Sequence, residues 1–290
     1  MSTTTIGRAL LKACQHGSVK EANTLVPRLL AKGISKETAP PLQLAMATAA
    51  YHGHSDILRN IMSNFPKGVK PSREAWTLPF TSDMEFHRLP KEWKSSAVPD
   101  LVVTRAVEGG SVPVVQTLMD FGLEVDYMVD KVGTLLCIAL CARKLDMVRF
   151  LLEKGADPND RLWFFTPFLM KAASLPEPDI MVALLEHGAE LKGSGALQGA
   201  AEAGRITAAE ILLERGADVD EVFRLGLFDD ESIDIKGMAL HAAVKHSQEE
   251  FVHFLLARGA RQDLRDGDGL TAMEVAVAEG NKKMIQLLQS

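Results

Sequence analysis

Apolar and polar positions follow a helical beat that is itself repeated. In residues 130–159, Leu135, Leu136, Ile138, Ala139 and Leu140 form a short apolar stretch, and Met147, Val148, Leu151 and Leu152 give a second stretch one apolar face. Thr134 stands where an N-cap belongs, and Asp146 where a helix N-terminus favours a negative charge. Gly155, just past Leu151-Leu152-Glu153-Lys154, takes the place of a left-handed cap, and Asp157-Pro158-Asn159 reads as a turn. The predicted unit is a turn, a short helix, a tight loop and a longer helix. Neither helix is long enough to stand alone in water, so each unit depends on its neighbours.

The beat recurs down the whole chain. A small residue is followed four positions on by glycine, as in Ala13/Gly17, Ala49/Gly53, Ala106/Gly110, Ala200/Gly204 and Ala276/Gly280. Counting Ala139, Ala172 and Ala243 as well, there are eight anchors, and three of the seven intervals between them are 33 residues long. A fixed period of this size predicts an array of stacked units. The anchor must be small because two antiparallel helices approach closely there.

Asp268-Gly269-Leu270-Thr271, Ala239-Leu240-His241-Ala242-Ala243, Ala50-Tyr51-His52-Gly53-His54 and Gly216-Ala217-Asp218-Val219-Asp220 together resemble the ankyrin repeat. The resemblance covers nearly all of residues 1–290 in about eight units. It implies an all-α solenoid of helix-turn-helix repeats with β-turn fingers. It also implies a structural role for His54 and His241. Departures are plain: no intact Thr-Pro-Leu-His occurs, and the helix-linking glycine is replaced by Arg143, Pro176 and Ser247 in units four, five and seven.

Breaks in the period mark where function is expected, because insertions in such arrays map to loops on one face. The interval from Ala49 to Ala106 exceeds the period by 24 residues and that from Ala200 to Ala243 by 10. The first excess lies within 66–99 and holds Trp76 and Trp93, with Phe80 and Phe86. Two uses are open for it: local core over a shortened second unit, or a lid or aromatic ligand-binding element. The second excess forms an extended finger at 221–236 that carries Phe223 and Phe228 with Asp229, Asp230, Glu231 and Asp234. The turn between units four and five is Trp163-Phe164-Phe165 where the family usually shows small polar residues. Two uses are open for these turns as well: they pack on one another, or, since aromatic anchors beside charges suit a binding surface, they supply the contact residues Trp163, Phe164, Phe165, Phe223, Phe228, Asp229, Asp230 and Glu231, with Trp76 and Trp93 beside them.

Composition narrows the partner. A net charge of −6 argues against nucleic acid, and no apolar run approaches membrane-spanning length. Three cysteines, Cys14, Cys137 and Cys141, suit a reducing compartment, so a cytoplasmic or nuclear place is expected. Cys137 and Cys141, four apart on one helix, are expected to be buried. No cofactor or metal is implied. Asp266-Gly267-Asp268-Gly269 lacks the ligand series of a calcium loop, and Gly193-Ser194-Gly195 lacks the third glycine and preceding strand of a dinucleotide fingerprint. The leading expectation is a non-catalytic scaffold or adaptor that holds another protein in a concave groove bordered by finger loops. The alternative is a protein with an aromatic pocket for a small apolar ligand, closed by 66–99, with cyclase- or isomerase-like activity. A third is an oligomerisation or targeting piece of a larger assembly.

Overall fold

The computed structural model describes residues 2–32, 38–64, 98–162, 166–225 and 234–289. They form two compact units divided between Ala156 and Asp157.

In the first unit, four helix pairs follow one another: α1 (Thr3–His16) with α2 (Val19–Leu30), α3 (Ala39–Tyr51) with α4 (Ser55–Ser63), α5 (Asp100–Gly109) with α6 (Val112–Asp120), and α7 (Leu135–Cys141) with α8 (Leu145–Glu153). The first helices of successive pairs lie side by side as an inner row, α1 on α3, α3 on α5 and α5 on α7. The second helices make the outer row, α2 on α4, α4 on α6 and α6 on α8. A short hairpin, β1 (Met128–Val129) with β2 (Gly133–Thr134), precedes α7. The expected cap is present, since Thr134 accepts the Cys137 amide. Helix α3 begins at Ala39, with Pro40 and Pro41 in the first turn where a missing N–H costs nothing.

The second unit repeats the plan with α9 (Phe168–Ala173) and α10 (Asp179–Glu186), α11 (Ala196–Ala203) and α12 (Ile206–Glu214), α13 (Ala239–Lys245) and α14 (Glu249–Ala257), and α15 (Ala272–Ala278) and α16 (Lys282–Gln289). Its inner row runs α9, α11, α13, α15. A second hairpin, β3 (Phe223–Leu225) with β4 (Asp234–Gly237), precedes α13. The all-α solenoid expectation holds, with the sheet confined to finger hairpins.

Every anchor alanine is at most 1% exposed, and the first leucine of each pair that follows is core: Leu151, Leu212 and Leu255 are fully buried. Each such side chain contributes about 1.5–3 kcal/mol on burial. The anchor carbonyl explains the glycine four residues on. In six pairs it accepts a bond from the amide five residues later: Ser18, His54, Lys144, Arg205, Gln248 and Asn281 donate to Ala13, Ala49, Ala139, Ala200, Ala243 and Ala276 at 2.8–3.0 Å. Closing that ring needs a left-handed residue between, which glycine supplies without strain, as Gly204 does at φ 67°. Arg143 (φ 53°) and Ser247 (φ 57°) accept the same conformation without being glycine. Pro176 cannot take it. That linker runs from Ser174 to Pro178 in turns and bends, and Leu175 instead donates to Ala172.

At several linkers the residue that follows also reaches back over the preceding linker. The His54 ring lies over Gly17 and the Lys144 side chain over Gly110. In the second unit Arg205 Nε donates to Ser174 O at 3.3 Å and Gln248 Nε2 to Glu202 O at 3.1 Å, while Asn281 Nδ2 donates to Ser247 Oγ at 2.9 Å. His54 thus serves the turn, as the resemblance implied, by packing on the previous one. Of the cysteines, Cys14 and Cys137 are buried, and desolvation pushes the Cys14 thiol up to about 12, leaving it protonated and inert at neutral pH. Cys141, expected to be buried with Cys137, is exposed, because it lies past the end of the buried stretch Leu135–Leu140.

Candidate partner-binding finger and its seat

The chain enters the β3–β4 hairpin after Glu221 and leaves it at Gly237. Its register pairs Phe223 with Gly237, Arg224 with Ile235 and Leu225 with Asp234, with a bulge after Phe223. Gln198, 1% exposed in α11, ties both ends down: its Nε2 donates to Glu221 O at 2.8 Å and to Gly237 O at 3.4 Å. The Glu221 carboxylate accepts the Gly193 amide at 2.7 Å. Beneath the hairpin, Gly195 has φ 65°, and a Cβ there would stand 2.7 Å from the Phe223 ring. Gly193-Ser194-Gly195 is therefore the seat of the finger.

Phe223, expected among the contact residues, is 1% exposed and belongs to the core of that seat. The alternation of a strand turns it inward. The other expected contact residues, Trp163, Phe164, Phe165, Phe228, Asp229, Asp230, Glu231, Trp76 and Trp93, lie outside the described residues. What is described around Trp163–Phe165 is the base of their turn: Arg161 pairs with Pro167, and Leu162 N donates to Thr166 O at 2.8 Å.

Gln198 and Glu221 were not singled out from the sequence, yet a signal for Gln198 exists. It stands two residues before its anchor alanine, as His241 does before Ala243. His241, 4% exposed, shares the duty, with Nε2 3.0 Å from Leu270 O in the next turn. Burial holds its imidazole below the ordinary 6.5, against the opposing pull of the Leu270 bond and nearby Asp266. That next turn is closed by Asp266, whose carboxylate accepts the amides of Asp268 and Leu270 at 3.0 and 2.9 Å. Asp266–Gly269 is the inter-repeat turn and no calcium loop. Thr271 and Glu274 then form a full capping box on α15.

Charge separates between the units. The first has 19 Lys and Arg against 15 Asp and Glu, net +4; the second has 13 against 23, net −10. A cleft in the second unit, between Pro158, Asn159 and Arg161 on one side and Glu190, Lys192 and Ser194 on the other, holds about 90 Å³. Drug-sized ligands occupy roughly 300 Å³ or more. No helix among the described residues is long and apolar enough to cross a membrane.

Two family patterns match the chain: "Ankyrin repeats (many copies)" at residues 240–289 and "Ankyrin repeat" at 134–161. The chain is an ankyrin-repeat protein. It is 28% identical over 237 residues to protein glp-1 of Caenorhabditis elegans, which takes in 74% of this chain and 17% of that protein. It is 29% identical over 161 residues to ankyrin repeat and SOCS box protein 11 of Homo sapiens, 53% of this chain and 48% of that protein. The chain therefore spans less than half the length of these curated relatives. Among solved structures, the human ASB11 ankyrin repeat domain superposes with a TM-score of 0.58 at 24% identity, covering 84% of this chain and 96% of that one. An ankyrin repeat domain from Acinetobacter baumannii gives 0.52 at 25% identity, covering 64% and 95%. Ankyrin-repeat proteins generally mediate protein–protein interactions.

Proposed function

We propose that this chain is a non-catalytic scaffold or adaptor of the reducing cell interior, in the cytoplasm or nucleus, holding another protein through inner-helix faces and finger loops. The observation that carries this reading is the seat of the long finger. Gln198, Phe223 and Glu221 are spent on fixing the two ends of a hairpin, and that investment suits a loop whose intervening side chains meet a partner. Phe228, Asp229, Asp230 and Glu231 are the residues it would present, with Trp163, Phe164 and Phe165 on the turn before and Trp76 and Trp93 from the first insertion. Phe223 anchors the finger and is withdrawn from the contact set.

The test is a pulldown from lysate with mass spectrometry, comparing the parent with a W163A/F165A double variant. Loss of the captured protein with helical circular dichroism unchanged is the expected result. Equal capture by both removes the turn from the contact surface.

A further inference from the structure

The inner helices of the first unit present a face that is largely exposed. Counted from each anchor alanine, the positions five before, one before and two after are spaced by four and three, and so share one side of a helix. On α1 these are Arg8, Lys12 and Gln15, all exposed; on α3 they are Leu44, Thr48 and Tyr51; on α5, Leu101, Arg105 and Glu108. Leu44 is 49% and Tyr51 47% exposed, in a helix row whose other large apolar side chains are mostly buried. The Arg105 guanidinium carbon lies 5.8 Å from the centre of the Tyr51 ring, and its Nη1 is 2.9 Å from Glu108. Helices α1 and α3 contain no Asp or Glu, so at these nine positions three cations face a single carboxylate.

We propose that this face docks an acidic segment of a partner protein that carries an apolar side chain. The proposal rests on the scaffold reading above and adds the chemistry of the partner. Leu44 and Tyr51 offer the apolar seat in the middle of the row, flanked by Arg8 and Lys12 on one side and Arg105 on the other. Arg105, lying over an aromatic ring, keeps a pre-oriented fork that matches a carboxylate. Charge complementarity selects the occupant: a basic segment would meet three like charges here, and an acidic one is turned away by the second unit's net −10. The segment is steered to the first unit, and its apolar side chain fixes its register.

The experiment is selection of short random peptides, displayed on phage, against the full chain, followed by fluorescence anisotropy on synthetic copies of the enriched sequences. Enriched peptides should carry Asp or Glu on either side of an aliphatic or aromatic residue. Their affinity should fall roughly tenfold or more in K12E/R105E and in L44A/Y51A. It should rise about twofold in E108Q, which frees Arg105. A gain in one variant cannot come from damage to the fold, and helical circular dichroism should be unchanged in all three. Enrichment of basic peptides, or acidic peptides that bind every variant equally, overturns this face while leaving the scaffold reading standing. No enrichment overturns peptide docking altogether, and the Trp163/Phe165 pulldown judges the scaffold reading separately. Phosphatidylserine vesicles and a single-stranded RNA oligonucleotide are run in parallel. Binding of either that K12E/R105E abolishes, without peptide binding, makes the face a polyanion site and also overturns the proposal.

Discussion

One position before the anchor alanine, the first unit carries Lys12, Thr48, Arg105 and Ile138, and the second carries Lys171, Gly199, Ala242 and Val275. Five before it, Arg8 and Leu44 are exposed, whereas Pro167, Gly195 and Met238 are buried. The repeat is the same; the use of its face is not. In the second unit small residues let neighbouring backbone and fingers settle onto the inner helices, Met170 against Gly199 and Phe223 against Gly195. In the first, Arg8, Lys12, Leu44 and Arg105 occupy equivalent places and are exposed, while Ile138 is buried. A helix face can hold the protein's own loops or stay open, and the two units differ in this.

The sharpest way to break this comparison is to exchange the residues. Gly199→Leu should destabilise the second unit by about 3 kcal/mol, because any Cβ there drives into the Met170 backbone. Thr48→Leu, at the equivalent position of the first unit, should change stability by under about 0.5 kcal/mol. Denaturant midpoints measure both, and a tolerated Gly199→Leu would show that close approach is no constraint. Next, Gln198→Ala should cost about 1–3 kcal/mol by leaving two strand-end carbonyls without their buried donor. Hydrogen exchange at Phe223–Leu225 and Asp234–Gly237 should accelerate while α1 to α8 stay protected.

A smaller effect tests what the units share. In thermal melts Arg143→Gly should stabilise by about 0.5–1 kcal/mol, since Arg143 holds positive φ. Ser247→Gly should gain less in the same melts, because it relieves the same strain but removes the hydroxyl that accepts from Asn281 Nδ2. The smallest effect concerns acid. The His241 pKa is lowered in the fold, so above 6.5 it is neutral whether folded or not and pH has no grip on it. As pH falls below 6.5 the unfolded chain takes up the proton first, and stability declines until the folded ring titrates too. His241→Gln should remove that part of the decline, read by thermal melts between pH 7 and pH 5.

Much of this was legible in residue order. The anchors, the Thr134 cap and the Asp266 turn all rest on local chemistry, in which the informative residues lie within a few positions of one another. Phe223 was misplaced because an aromatic in a loop gives no sign of which way it faces until the strand pairing fixes it. Gln198 was missed because its partners, Glu221 and Gly237, are 23 and 39 residues away. Cys141 went wrong for a nearer reason: a helical face predicts burial only as far as the neighbouring helix extends.

The reach-back contacts over the linkers give the array a polarity. His54 shields Gly17, Lys144 shields Gly110, Gln248 caps the linker at Gly204 and Asn281 that at Ser247. In these four cases the linker is protected by the pair that follows it. Opening one pair should bare the linker upstream of it and leave the downstream one shielded, so that within each unit fraying travels toward the N-terminus. A direction of wear is built into a structure whose repeats look interchangeable.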